Sequence, residues 1–282
     1  METPFEKPPT VQPETDLKDK IKLSTRILPL EKGANLVDDY TLSTFETPEE
    51  RERYLKVLEG ARETGDNIQR FWNMLVSTVE RAGYKPPQER QTTILDLGCG
   101  ECEEGIVLSA FFGGETLGSS SNNVKLIGVD ISEKDISRAV SGYSIPDFSE
   151  RVTKYVLPHN YEFIVGDATN LDQYQQIPKE VDVVVIRHEQ ISNNEQTWAK
   201  IFQQAIQRVG KDGIIIITSF SDIEHKMLIE ALRQLDCEIA IDESNPYAKP
   251  LGHKEISLDR NITIIRKKNL LPKTNLKSPF PF

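Results

Sequence analysis

The sequence has few cysteines, no basic excess and no long apolar run, and each shortage removes a class of protein. Cysteine occurs only at positions 99, 102 and 237. Three thiols are too few for a disulfide framework in a chain of 282 residues, and they fit a reducing compartment. Lysine and arginine number 34 against 44 aspartates and glutamates, a formal charge of −10. That sign disfavours a broad nucleic-acid footprint, although a local basic patch is compatible with it. No apolar stretch approaches the roughly 20 residues that span a bilayer, so no membrane partner is expected. The opening METPFEKPPTVQPETDLKDK has no apolar core of the signal-peptide kind, and a cytoplasmic protein is the expectation. Metal ligation is not expected either. Zinc needs four ligands at suitable spacing, and Cys237 with four scattered histidines supplies no second pair.

What is present divides the chain. Residues 1–20 are rich in Pro, Glu, Lys and Thr without an apolar face, and residues 268–282 are similar, so disorder is expected at both ends. Residues 21–90 read as a helical segment on the substrate or cap side. In it Thr47-Pro48-Glu49-Glu50 resembles a helix start, with Thr47 capping and Pro48 in the first helical position. Ile68, Phe71, Trp72, Leu75, Val76 and Val79 then repeat at the spacing of one buried helical face, which Gly83 and Pro86-Pro87 end.

From residue 91 to 267 the texture changes to short apolar runs separated by helical patterns. The runs are TTILDL, KLIGVD, YEFIVGD, VDVVVIR, GIIIITS, CEIAID and NITIIRK. The first five, dense in Ile, Val and Leu, read as buried parallel strands. The last two are joined by a loop with no helical pattern and read as an antiparallel pair. Ser192-x-x-Glu195 and Ser221-x-x-Glu224 read as capping boxes. The first opens a stripe from Trp198 to Val209 that Gly210 ends. The second opens a stripe that includes Ile223, Met227, Leu228 and Leu232. The segment GGETLGSSSNN, 113–123, reads as a flexible insertion. The fold class is α/β, an open, mostly parallel sheet with helices on both faces, plus the helical N-terminal extension.

Three strand ends carry chemistry. Asp96-Leu97-Gly98-Cys99-Gly100 closes the first run with an acid and a tight glycine turn, which brings backbone close to a ligand. Glu101, Glu103 and Glu104 crowd the following helix start and would repel a pyrophosphate, so a ligand without phosphates fits better than NAD or FAD. They also disfavour thiolate chemistry at Cys99 and Cys102. Cys99 reads as a small filler between the glycines. Asp130 closes the second run where a ribose would present two hydroxyls, and a carboxylate accepts from both. The alternative is a charge at the next helix start, since Ser132 can cap that helix. Asp167 closes the third run and can accept from an adenine amino group. The alternative there is an ordinary Gly-Asp turn.

The ordered set ILDLGCGEC, LIGVDIS, FIVGDATNL, VDVVVIRHEQI and VGKDGIIIITSF resembles the class I S-adenosylmethionine-dependent methyltransferases, over roughly residues 90–267. The resemblance implies a seven-stranded sheet whose last strand is antiparallel, and S-adenosyl-L-methionine as cofactor. It implies that Asp96, Gly98 and Gly100 line the methionine part, and that Asp130 holds the ribose with Ile131 against the adenine. Asp167 would bind the adenine amino group, with Ala168 beside it, and Arg187-His188-Glu189 would border cofactor and substrate. The fourth strand lacks the Asn/Asp-Pro-Pro-aromatic ending of the enzymes that methylate nucleic-acid amino groups. The family's loop often has a third glycine where this chain has Cys102, and the cysteine arrangement of the C5-pyrimidine enzymes is not evident.

Methyl transfer from a sulfonium needs alignment, and a base only when the nucleophile arrives protonated. His188, whose ordinary pKa is about 6.5, is the first candidate for that base and Glu189 the second. Arg187 is a candidate to pair with a cofactor carboxylate, a substrate acid or a nearby Asp. Tyr40 and Tyr247 are candidate cap residues. The function expected is methyl transfer to a small-molecule or protein acceptor. RNA methylation is the alternative enzyme reading, and a catalytically silent cofactor- or partner-binding module is the alternative outside catalysis.

Overall fold

The computed structural model describes residues 47–48, 66–115, 122–141, 144–145, 153–154 and 160–268. The expectations for residues 1–20, for Tyr40, for the middle of the 113–123 insertion and for the tail beyond Lys268 lie outside these residues. Of the first proposed helix start, only Thr47 and Pro48 are described, Pro48 in helical conformation.

All seven apolar runs form strands of one sheet. They are β1 (Thr92–Leu97), β2 (Val124–Asp130), β3 (Tyr161–Val165), β4 (Val181–Glu189), β5 (Val209–Ser219), β6 (Cys237–Ser244) and β7 (Asn261–Lys267). The order across the sheet is β3-β2-β1-β4-β5-β7-β6. β1 to β5 pair in parallel, and β7 runs antiparallel to both of its neighbours. A seven-stranded, mostly parallel sheet with an antiparallel last strand is therefore the fold. The chain leaves β1 toward β3, then returns to β4 on β1's other side. That reversal opens a crevice at the carboxyl ends of the strands, where ligands bind in such sheets.

The central strands are near-continuous Ile, Val and Leu because helices cover both faces. On one face lie α1 (66–78), α2 (Gly105–Gly113) and α3 (Glu133–Ser141). On the other lie α4 (Glu195–Arg208) and α5 (Asp222–Leu232). Phe71, Trp72, Met74 and Leu75 of α1 are buried in the same core as Ile94, Val183 and Ile216 of the sheet. The Trp72 ring meets Phe111 of α2 edge-on at 5.6 Å. The N-terminal helical face is thus part of the main core. Replacing a fully buried Trp by Ala removes about 3–5 kcal/mol, so this face is a large share of the stability.

Several local expectations need correction. Ser192 does not cap α4. After β4 the chain makes a short 3-10 turn at Ile191–Asn193, and Asn194 caps instead, its side chain accepting from Thr197 N. Gly210 does not end that helix. Val209 is already extended, and the Lys-Asp-Gly turn expected at 211–213 lies within β5, where a register shift opposite Val181 and Val183 absorbs it. Gly213 is required there, since a Cβ would stand 2.6 Å from the Asp182 carbonyl oxygen. Ser221 does cap α5, accepting from Glu224 N. Ile223, expected inward, is 67% exposed. Glu224, four residues before Leu228, takes the inward place and spends its carboxylate on the Ser192 backbone N–H and hydroxyl. No α-helix covers the β3–β4 crossover, which has a 3-10 turn at Leu171–Gln173. Leu171 and Ile177 bury there in a helix's place. Among the described residues no helix is long and apolar enough to cross a membrane.

Candidate functional site

A cavity of about 370 Å³ opens at the carboxyl ends of β1 to β4. Its floor is the loop after β1. Gly98 and Gly100 have φ of +73° and +52°, the left-handed region that favours glycine. A Cβ at either position would meet nothing within 4 Å, so the conformation, and no crowding, requires glycine there. The Gly98 and Cys99 backbone N–H groups donate to the Val129 carbonyl at 2.8 and 3.2 Å, and Gly100 N–H donates to Asp130 Oδ2 at 2.8 Å. Cys102 is also left-handed, at φ +54°, in the place expected for a third glycine. Cys99 fills space over Gly128, where a Cβ would lie 2.8 Å from its sulfur. The Cys102 thiol is raised well above its ordinary range by the hydrogen bond with Cys99, by burial and by Asp96 and Glu104.

Of the residues singled out in the sequence, Gly98, Asp130, Ile131, Asp167, Ala168, Arg187 and His188 line this one cavity. Asp130 Oδ1 accepts from Ser132 N at 2.8 Å, and Ser132 Oγ in turn accepts from Asp135 N in the first turn of α3. Ile131 is 79% exposed, an apolar side chain standing open on the wall. Asp167 is held by its own turn. Its N–H donates to the Tyr174 hydroxyl, and its Oδ1 accepts from Thr169 N, which keeps the carboxyl below the ordinary aspartate range. Gly166 gives the Tyr174 ring its place, since a Cβ would lie 2.5 Å from it. The far wall is Gln190 with Thr197, Trp198 and Ile201 of α4. The sequence offered Trp198 and Ile201 only as members of an apolar stripe, and nothing in their spacing set them apart from core.

Asp96 and Gly100 lie outside the cavity lining. Asp96 is fully buried behind the glycine loop, where the Cys102 thiol donates to its Oδ2 at 3.7 Å. Burial and then the neighbouring Glu104 push the Asp96 carboxyl well above the aspartate range, which favours its protonated form. Arg187 lies beyond this pair. Its Nε and Nη2 donate to the two oxygens of Asp259 at 2.9 and 2.7 Å, its Nη1 to Glu104 at 3.4 Å, and Nη2 also to Asn67 Oδ1 at 2.7 Å. The guanidinium carbon sits 4.4 Å from the centre of the Phe71 ring. Arg70 pairs with Asp259 at 3.5 Å. Burial alone would lower the Arg187 pKa, but Asp259 more than offsets it and holds the group charged. Burial likewise pushes Asp259 up, and Arg187 overcomes that to hold its carboxyl well below the usual range. The three acids near the glycine loop are all engaged, since Glu103 accepts from Asn67 and Glu101 pairs with Arg138.

His188 stands where β4 leaves the sheet. Its φ is +62°, at a register shift against β5. The ring stacks on Phe220 at 5.0 Å, and Nε2 lies 3.0 Å from Asp259 Oδ1. The side chain is 24% exposed and faces the cavity. Glu189 ends β4, and its side chain is outside the described structure. Tyr247 is 38% exposed in the turn after β6. The residue that the sequence missed is Asp259. It sits in a plain Leu-Asp-Arg-Asn turn, and only its left-handed φ of +51° and the fold reveal its partners.

The family profile described as "Methyltransferase domain" matches residues 88–271. No curated protein matches the chain. Similar solved structures include an rRNA methylase from Streptococcus thermophilus, 15% identical, covering 68% of this chain and 95% of its own, with a TM-score of 0.43. A TehB-like SAM-dependent methyltransferase from Corynebacterium glutamicum is 18% identical and covers 73% of this chain and 98% of its own, with a TM-score of 0.42. Aeropyrum pernix fibrillarin, solved with natively bound S-adenosyl-L-methionine, is 15% identical and covers 69% and 76%, with a TM-score of 0.45. The family match spans well over half of the chain, and the chain belongs to the methyltransferase-domain family of the class I superfamily, whose cofactor is S-adenosyl-L-methionine.

Proposed function

We propose that this protein transfers a methyl group from S-adenosylmethionine, held in the cavity described, to a small-molecule or protein acceptor. The observation that carries the reading is Ile131, 79% exposed on the cavity wall beside Asp130. A bare apolar side chain beside a half-free carboxylate suits a nucleoside, whose flat base covers the one while its ribose hydroxyls donate to the other. The open space over Gly98 suits the rest of the cofactor. When bound, S-adenosylmethionine supplies a methyl group already activated on a sulfonium sulfur.

The chain's own residues have three tasks. Asp130 takes the ribose hydroxyls and Asp167 the adenine amino group, with Ala168 leaving room for the ring. Asp96, Gly100 and Arg187 act from behind. Gly100 ties the loop to Asp130, and the Asp96–Glu104–Arg187 cluster fixes the backs of β1 and β4. The guanidinium N–H groups of Arg187 are directed at Asp259, Glu104 and Asn67, so its part in binding is to shape the wall. His188, on the cavity face, is the group best placed to take a proton from an acceptor, ahead of Glu189. Titrating the protein with S-adenosylmethionine in a calorimeter tests the reading. Saturable binding that Asp130→Ala weakens supports it, and absence of heat at saturating cofactor overturns it.

A further inference from the structure

We infer that His188 and Asp259 form a base dyad, and that the acceptor is a hydroxyl compound that arrives carrying its proton. The inference rests on the methyltransferase reading above and says which group arrives at the site.

Nε2 of His188 lies 3.0 Å from Asp259 Oδ1 but is not aligned to donate a hydrogen bond to it. Contacts of this kind are often loose before substrate binds and tighten in the complex. Asp259 itself does not move freely. It is 1% exposed, gripped by both sides of the Arg187 fork, and its backbone carbonyl accepts from Asn245 Nδ2 at 2.8 Å. The imidazole is fixed on its other side by the Phe220 ring, whose own carbonyl accepts from Ser257 N at 2.9 Å. A carboxylate at Nε2 selects the tautomer with the proton on Nε2 and leaves the lone pair on Nδ1. Among the described residues none bonds Nδ1, and the exposed part of the ring faces the cavity.

Asp259 does not need the histidine proton for its own balance. Asp259 is paired with Arg187 at 2.7 Å and with Arg70 at 3.5 Å, and Glu104 with Arg187 at 3.4 Å. The Thr218 hydroxyl accepts from His188 N at 3.3 Å. An added proton on Nδ1 therefore makes an imidazolium beside a carboxylate already in place.

A base is needed where the nucleophile arrives protonated, as a hydroxyl does; a free amine attacks with its own lone pair and needs none. In the step the acceptor O–H bond breaks and its proton goes to Nδ1. The oxygen pair forms the new O–C bond as the C–S bond breaks, and that bond's electrons stay on sulfur. Asp259 touches no reacting atom and is a positioning residue.

The test begins without an acceptor. Long-range ¹⁵N–¹H correlation spectra of the full chain, with the His188 signal assigned among four histidines by its loss in His188→Gln, report the tautomer. A proton on Nε2 is expected, and a proton on Nδ1 overturns the dyad. In Asp259→Asn the Nδ1–H form should rise, and an unchanged tautomer in a folded variant also overturns it. Methyl transfer to catechol, 4-methoxyphenol and tyrosine amide is then compared with transfer to benzylamine. Transfer to the phenols, measured at saturating cofactor, should fall about 100-fold or more in His188→Gln. Equal rates in the variant overturn the assignment of His188 as the base. Failure to bind cofactor at all sinks the methyltransferase reading instead.

Discussion

Asp130 makes two backbone hydrogen bonds, to Gly100 N and Ser132 N, and still has lone pairs free. Removing an ionised acceptor from a hydrogen-bonded site costs about 1.5–3 kcal/mol, so Asp130→Ala should weaken S-adenosylmethionine binding roughly ten- to a hundred-fold, read by calorimetry. Gly98→Ala tests the loop differently. Nothing crowds a new methyl, so the stability cost is the left-handed backbone, about 1–2 kcal/mol by urea denaturation, and the methyl enters the cavity. The two buried aspartates behind the site act on pH stability in opposite directions. Asp96 has a raised carboxyl, so its folded form holds the proton longer, and stability is lost as pH rises above about 4 through the raised value. Asp259 has a depressed carboxyl, so its contribution is present above about 4 and is lost as pH falls through the folded value. Asp96→Asn should therefore flatten the stability profile above pH 4, whereas Asp259→Asn should flatten it below. Denaturant midpoints measured across pH decide this, and an unchanged profile in Asp96→Asn would contradict a protonated Asp96.

At the scale of elements, the serines after β4 and β5 look alike in sequence and act differently. Ser221 caps α5, and its replacement by Ala should cost about 1 kcal/mol. Ser192 caps nothing, and both its polar groups hold Glu224 across to α5. Ser192→Ala leaves Glu224 only the backbone N–H, so its effect should vanish in a Glu224→Ala background, whereas that of Ser221→Ala should persist. A double-mutant cycle by urea denaturation separates the two. The same contrast shows what the sequence made legible. The seven strands were readable because burial on two faces forces near-continuous Ile, Val and Leu, a signal carried by neighbours in sequence. Capping boxes are also local, yet a four-residue pattern cannot say whether a 3-10 turn intervenes, as it does at Ile191–Asn193. The cavity's Gly98, Asp130, Ile131 and Asp167 were readable because each ends a strand at the reversal in strand order. Asp259 and Asn67 were not. They meet Arg187 across 72 and 120 residues of chain, and a turn aspartate and a helical asparagine carry no mark of such partners.

At the scale of the molecule, the sheet is held between two apolar layers, one of which includes α1. Trp72→Ala should therefore destabilise the entire fold, by about 3–5 kcal/mol in a single cooperative transition, and should not release a separate N-terminal unit. Two transitions in calorimetry would contradict that. The family match begins at residue 88, whereas Asn67, Arg70 and Phe71 stand before it and grip Arg187 and Asp259 from α1. Chimeras between family members are thus constrained. Exchanging residues 88–271 of this chain alone would part Arg187 and Asp259 from the α1 residues that hold them, so the unit to exchange includes a helix that lies before the family match.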